Sequence, residues 1–124
     1  MNIEEVREYC ISHVAVTESF PFDEETLVFK VMNKMFVLMP LKRGNTISLK
    51  CDPEYALELR ERYPEEIQAA WHMNKTHWNS VILNGTVGRK LIEELITHSY
   101  DLVVAKLKKA DKAALQAMKE QEEE

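Results

Sequence analysis

The chain has 124 residues, a formal net charge of −5, 45% hydrophobic and 30% charged residues, which is typical of one soluble globular domain. No apolar run approaches the ~18 residues that a membrane span needs. The acidic N-terminal sequence MNIEEVREYC lacks the basic start and apolar stretch of a signal peptide. We therefore expect a cytoplasmic protein, and the negative charge argues against a surface that attracts nucleic acid over its whole area.

The first predicted element is a helix over about residues 3–14. Asn2 and Glu5 have the spacing of a capping box, with Asn in place of Ser or Thr. Apolar residues then recur at helical spacing. Pro21 ends this region because it disfavours a helical conformation at Phe20.

From Thr26 the hydrophobic period changes to two, which predicts a β-hairpin with a tight turn at Asn33. Strict alternation across a two-residue turn divides the side chains between two faces of the sheet. The aromatic face, expected to be core, carries Leu27, Phe29, Val31, Phe36 and Leu38. The other face, still half apolar, carries Val28, Lys30, Met35, Val37 and Met39.

The rest of the chain predicts a strand, a helix, two more strands and a final helix. A third strand is predicted over 46–51, and Asp52-Pro53 then starts a second helix that Pro64 closes. Alternation of apolar and polar residues favours a short strand over 67–73, and a stronger pattern predicts another strand over 78–83. A long amphipathic helix is predicted from Val87 to about residue 107.

The predicted order is therefore α-β-β-β-α-β-β-α. It indicates a two-layer α+β domain in which helices cover one face of an antiparallel five-stranded sheet. We expect residues 1–110 to form this single domain. Residues 111–124 are a charged tail that either extends the last helix or frays.

No catalytic or metal-binding constellation is recognisable, so we expect neither an enzyme nor a cofactor. The stretch HMNKTHW at 72–78 contains His72 and His77, but a zinc site needs three or four ligands, and a hairpin turn is the favoured interpretation. Cys10 and Cys51 have no CxxC spacing and no nucleophile context. We expect both to be reduced, largely buried thiols.

Nucleic-acid binding is better motivated, because residues 30–50 contain five basic residues and no acid. Cations can contact phosphates, while amide and aromatic side chains can contact bases. The candidate DNA-binding residues are Lys30, Lys34, Lys42, Arg43, Lys50, Asn74, Lys75 and His77. Trp71 could join them, although Trp71 and Trp78 are expected to be mainly core. The alternative is that these lysines only keep strand edges soluble.

Several motifs, in order, resemble the MmcQ/YjbR family of small bacterial proteins over nearly the whole chain to about residue 108. They are FKV with KMF at 29–36, ISLKCDPE at 47–54, HMNKTHWNSV at 72–81 and SYDLV at 99–103. The resemblance implies a single-domain α+β fold related to secretion chaperones and to the CyaY/frataxin type. It also implies DNA binding through a "double wing" of β-hairpins. The wing positions would be Lys30, Lys34 and Lys50 on one hairpin, and Asn74, Lys75 and His77 on the other.

Three hypotheses about function remain open at this point. The first is a DNA-binding module that uses both hairpins. The second is a protein-interaction or chaperone-like module that binds through its sheet face. The third, a metal-linked or enzymatic role, rests on fold analogy alone. Because the helices can cover only one face of the sheet, we also predict that the other face is buried in a homodimer.

Overall fold

The structure, a computed structural model, describes residues 1–70 and 73–123. The helices are α1 (Ile3–Ile11), α2 (Pro53–Arg62), α3 (Arg89–Ala105) and α4 (Lys109–Glu123). The strands are β1 (Val16–Ser19), β2 (Thr26–Val31), β3 (Lys34–Pro40), β4 (Thr46–Lys50), β5 (Ile67–Ala69) and β6 (Trp78–Ile82). They form one antiparallel sheet in the order β1-β2-β3-β4-β6-β5. The protein is thus a two-layer α+β domain, as predicted.

The predicted capping box at the start of α1 is confirmed. The Asn2 side chain accepts a hydrogen bond from the Glu5 backbone N–H at 2.9 Å, and the Glu5 carboxylate accepts one from the Asn2 backbone N–H at 3.1 Å. The helix is shorter than predicted, because Ala15 adopts a φ of 64° and the chain reverses into a strand. That strand, β1, raises the strand count from the predicted five to six.

The β2–β3 hairpin contains a bulge that overturns part of the predicted face assignment. Phe29 pairs with Val37, but Lys30 pairs with Met35, so Phe36 is an extra residue in β3. A bulge of this kind reverses the alternation of every side chain beyond it. Leu27, Phe29, Val31 and Phe36 lie in the main core as predicted, whereas Val37 and Met39 join them there and Leu38 lies on the opposite face.

The turn between β2 and β3 fits the predicted tight turn. Met32 and Asn33 both have positive φ, at 47° and 69°. Two consecutive residues of this kind define a type I′ turn, whose twist matches that of the flanking strands. Asn tolerates this conformation more easily than Met does, so the turn is fixed by the hairpin as well as by its sequence.

The predicted second helix and the strand predicted over 78–83 are confirmed, as α2 and β6, whereas the strand predicted over 67–73 is shorter. Asp52 caps α2 by accepting from the Tyr55 N–H at 3.1 Å, and Pro53 occupies the first turn. The strand predicted over 67–73 is limited to β5; Ala70 and Met73 do not belong to it, and Trp71 and His72 lie outside the described residues.

The C-terminal segment is a separate helix and not a continuation of α3. The long helix ends at Ala105, and α4 begins at Lys109 after a turn. Leu107 and Leu115, 6% and 2% exposed, bury their side chains in the main core. Because burial of a leucine side chain stabilises by about 1.5–3 kcal/mol, these two contacts hold the turn and α4 against the domain.

The helices lie on one side of the sheet and enclose the main core. The largest fully buried side chains on that side include Phe29, Phe36, Met39, Ile47, Leu59 and Ile92. Cys10 and Cys51 are free and buried there, as predicted. The other side, called the open face below, carries a smaller cluster of Val28, Leu38, Ala70 and Trp78.

Candidate nucleic-acid interface

Both hairpins leave the sheet in the same direction. The β2–β3 turn lies at the end of the sheet where β4 ends at Lys50, and Lys50 pairs with Trp78, the first residue of β6. We call this the tip end of the sheet. Only β4 separates β3 from β6, so the facing strands of the two hairpins are two strand spacings apart, about 10 Å.

Three lysines converge at the tip end: Lys34 at the start of β3, Lys50 at the end of β4, and Lys106 just after α3. Partial burial lowers the pKa of the Lys50 ammonium group, and the positive charges of Lys106 and Lys34 lower it further. Lys50 is thus close enough to both Lys34 and Lys106 for their charges to repel its own. Lys106 was not among the predicted site residues, although the lysine-rich run KLKKADK at 106–112 could have indicated it.

The structure divides the other predicted cations between the two ends of the sheet. Lys30 lies on the open face opposite Met35, near the tip end. Lys42 and Arg43 follow the last residue of β3 and therefore lie at the opposite end. There the Lys42 ammonium group forms an exposed ion pair with Glu25 at 3.1 Å. The predicted basic set is therefore not one surface.

In the described part of the connection between β5 and β6, residues 73–77 form a turn held by hydrogen bonds, to which the predicted site residues contribute. The Asn74 side chain accepts from the Thr76 N–H at 2.9 Å, and the Asn74 carbonyl accepts from the His77 N–H at 3.2 Å. The Arg60 guanidinium group donates to the Lys75 carbonyl. Trp78, 6% exposed, anchors the start of β6.

Polar side chains also tether the helices to the tip end. The Ser99 hydroxyl on α3 donates to the Lys50 carbonyl. The buried Asn79 accepts from Arg60 Nε at 2.7 Å and donates to the Ala56 carbonyl at 3.2 Å, joining β6 to α2. Several residues within the motifs of the family resemblance therefore fix the position of the tip end and do not themselves reach outward.

A second polar cluster joins α1 to α3 in the helical layer. His13 Nδ1 lies 2.9 Å from the Tyr9 carbonyl and therefore donates to it. Its Nε2 atom lies 3.0 Å from the Thr97 hydroxyl oxygen, and the Tyr9 hydroxyl lies 2.9 Å from that same oxygen. Among the described residues, no group of three or more His, Cys, Asp or Glu side chains could hold a metal ion.

The open face contains a groove of about 410 Å³ at the end opposite the tip end. Phe22, Leu38 and Met73 supply apolar walls, and the hydroxyls of Ser48 and Ser80, 3.1 Å apart, lie on its floor. Phe22 is 63% exposed. This volume lies within the range of small-molecule and peptide pockets, roughly 300–1,000 Å³.

These features define a class: a two-layer α+β domain whose open antiparallel sheet presents two hairpins at one end. The YjbR family model matches residues 12–102, and the chain belongs to the YjbR family. None of the helices in the described ranges, 1–70 and 73–123, combines the length and hydrophobicity needed to cross a membrane.

Known relatives and solved structures agree with this placement. The chain is 41% identical over 93 residues to YbdF of Escherichia coli O157:H7, covering 74% of this chain and 75% of that protein. It is 30% identical over 105 residues to YjbR of Escherichia coli K12, covering 84% and 88%. The crystal structure of Deinococcus radiodurans DR2400 matches with a TM-score of 0.85 at 41% identity, covering 92% of this chain and 87% of that one.

Proposed function

We propose that this protein binds DNA through the tip end of its sheet. The observation that carries the proposal is the convergence of Lys34, Lys50 and Lys106 at the end where both hairpins emerge. Like charges held together in this way favour a bound anion, and phosphate contacts supply most of the sequence-independent affinity for DNA.

The distribution of acids supports the same surface. The described strands contain a single carboxylate, Glu18, which pairs with Phe29 in the sheet and so faces the helices. There it forms an ion pair with Arg7 at 2.9 Å. Among the described residues the open face therefore has no strand carboxylate; the acids of all four helices lie in the other layer, and Asp23 borders the groove at the end opposite the tip end. An acidic protein can thus present a basic end.

A salt titration with paired variants tests the proposal. Lys34→Glu with Lys75→Glu should abolish binding of a duplex at low salt, and wild-type affinity should fall steeply between 50 and 200 mM salt because bound counterions are released, roughly 0.9 per phosphate. Lys42→Glu with Arg43→Glu is the matched control, since it changes the charge equally at the opposite end of the sheet. Equal loss of duplex binding in the two double variants, or no loss of binding in Lys34→Glu with Lys75→Glu, would contradict the proposal.

The proposed DNA binding also concerns the cellular compartment in which the protein acts. The buried free thiols Cys10 and Cys51 are compatible with a reducing compartment. We propose that the protein is cytoplasmic. Fractionation of cells that express it should recover it with soluble cytoplasmic markers, and recovery from an oxidising compartment would contradict this.

The open-face groove favours a second candidate function, a protein-interaction module. Phe22 is 63% exposed beside Leu38 and Met73, and apolar groups presented together often mark interaction sites. The simplest partner is a second copy of the chain, related by two-fold symmetry.

Light scattering at high micromolar concentration tests this candidate. The wild type should be dimeric and Phe22→Asp monomeric. Leu57→Asp should stay dimeric as the control, because Leu57 is 57% exposed on α2, in the helical layer. A monomeric wild type would rule out the homodimer.

A further inference from the structure

We propose that the turn between α3 and α4, residues 106–108, together with Lys109 at the start of α4, is a third contact for the phosphate backbone of duplex DNA, beside the two hairpins. This inference rests on the DNA-binding function proposed above. It adds a contact from the helical layer to a surface that the family resemblance describes only by its hairpins.

The packing of α3 brings this turn to the tip end. The Ser99 hydroxyl bonds to the carbonyl of Lys50, the last residue of β4. Tyr100 makes an edge-to-face contact with Phe36 in β3, with ring centroids 5.7 Å apart. The C-terminal half of α3 therefore runs over the ends of β3 and β4, and its last residue, Ala105, leads directly into the turn.

The turn is held firmly enough to serve as a binding element. Leu107, in its middle, is 6% exposed and belongs to the main core. The Lys106 and Leu107 N–H groups donate to the carbonyls of Val103 and Val104 at 3.1 and 3.2 Å. A backbone fixed by such packing loses less conformational entropy on binding than the backbone of a mobile tail does.

The charges of this segment are basic and have no acidic partner. Residues 102–110 contain three lysines and no acid. Lys106, Lys108 and Lys109 are all exposed, and none of them takes part in an ion pair within the described part of the chain. Lys106 lies close enough to Lys50 to lower the pKa of that ammonium group. A phosphate placed between the turn and β4 would relieve this repulsion.

The turn does not lie in line with the two hairpins. The hairpins lie along the sheet, whereas the turn lies one layer away, roughly the 10–12 Å diameter of a helix. Three contacts that are not in line can engage phosphates on both strands of a duplex. Because the family model ends at residue 102, this contribution belongs to the segment beyond the matched family region.

The test removes two positive charges from this segment and leaves its buried residue, Leu107, in place. Lys108→Gln with Lys109→Gln should weaken duplex binding at least about fivefold at 0.1 M salt, and should reduce the slope of log K against log salt by roughly 1 to 2. The matched control is Arg43→Gln with Lys90→Gln, after the end of β3 and at the start of α3, away from the tip end. The control should bind like the wild type.

The outcomes separate this inference from the function on which it rests. If Lys34→Glu with Lys75→Glu abolishes binding but the turn variant matches its control, the hairpin interface stands and the third contact is wrong. If the wild type binds no duplex even at low salt, both are wrong. Circular dichroism of each variant verifies that loss of binding is not loss of fold.

Discussion

The Nε2 atom of His98 on α3 accepts a hydrogen bond of 3.1 Å from the backbone N–H of Asp52, the residue that caps α2. A ring nitrogen that accepts a hydrogen bond must be unprotonated, so this contact requires neutral imidazole. Burial lowers the pKa of His98 below its usual 6.5, although the negative charges of Asp52 and Asp101 act in the opposite direction. The contact between these helices therefore depends on pH.

We predict that the free energy of unfolding decreases as the pH falls below 6.5. The unfolded chain takes up the His98 proton near pH 6.5, whereas the folded chain takes it up only at the lowered pKa, so stability is lost between these two values. Urea unfolding from pH 8 to pH 5.5 measures the effect. His98→Gln should show a flatter profile in this window, and equal slopes for the two proteins would exclude His98 as the cause.

Asn79→Ala should destabilise the fold by about 1–3 kcal/mol. Asn79 is 2% exposed, and its loss leaves Arg60 Nε and the Ala56 carbonyl without the bonds they form now. Chemical denaturation gives the difference. The control is Asn84→Ala, which removes one bond to the Thr86 N–H in an exposed turn and should cost less than about 1 kcal/mol.

Substitutions on either side of the bulge should differ sharply. Val37→Lys places a charge at a fully buried position of the main core and should prevent stable folding, because an unpaired buried charge costs several kcal/mol. Met35→Lys changes a half-buried residue at the edge of the open-face cluster and should cost about 1 kcal/mol or less. Thermal unfolding followed by circular dichroism compares them. Similar effects would mean that both side chains share one face.

Neither cysteine should react with a thiol reagent in the folded protein at pH 8. Burial raises the pKa of Cys10 to about 12 and that of Cys51 to about 11, and only the thiolate is nucleophilic. Both should react after denaturation. Ser19→Cys provides the control, since Ser19 is exposed on β1 and a thiol there should react at once. Labelling of the native wild type would contradict the burial of these side chains.

Local signals predicted most of the fold. The capping box at Asn2, the Asp52-Pro53 start of α2 and the period-two pattern from Thr26 all correspond to observed elements. Strand β1 was missed because its sequence, VTES, is short and half exposed. The bulge at Phe36 was missed because it depends on how two strands pair, and residue spacing along one strand does not record that pairing.

The candidate site was predicted only in part, for a geometric reason. Lys34 and Lys42 are close in sequence, but Lys34 begins β3 and Lys42 follows its end. The seven residues of β3 extend about 23 Å. They therefore lie at opposite ends of the sheet. Lys106 joins Lys50 through the packing of α3 on β4, a long-range contact that no spacing rule indicates.

The two edge strands of the sheet restrict how copies of this protein can meet. β1 has four residues and β5 has three, so each edge offers only a few backbone groups to a neighbouring strand. Short edges of this kind do not template further strands, and natural sheets use them to resist aggregation. Self-association by continuation of the sheet is thereby disfavoured, so a pair of copies would have to meet through a face of the sheet and not through its edges.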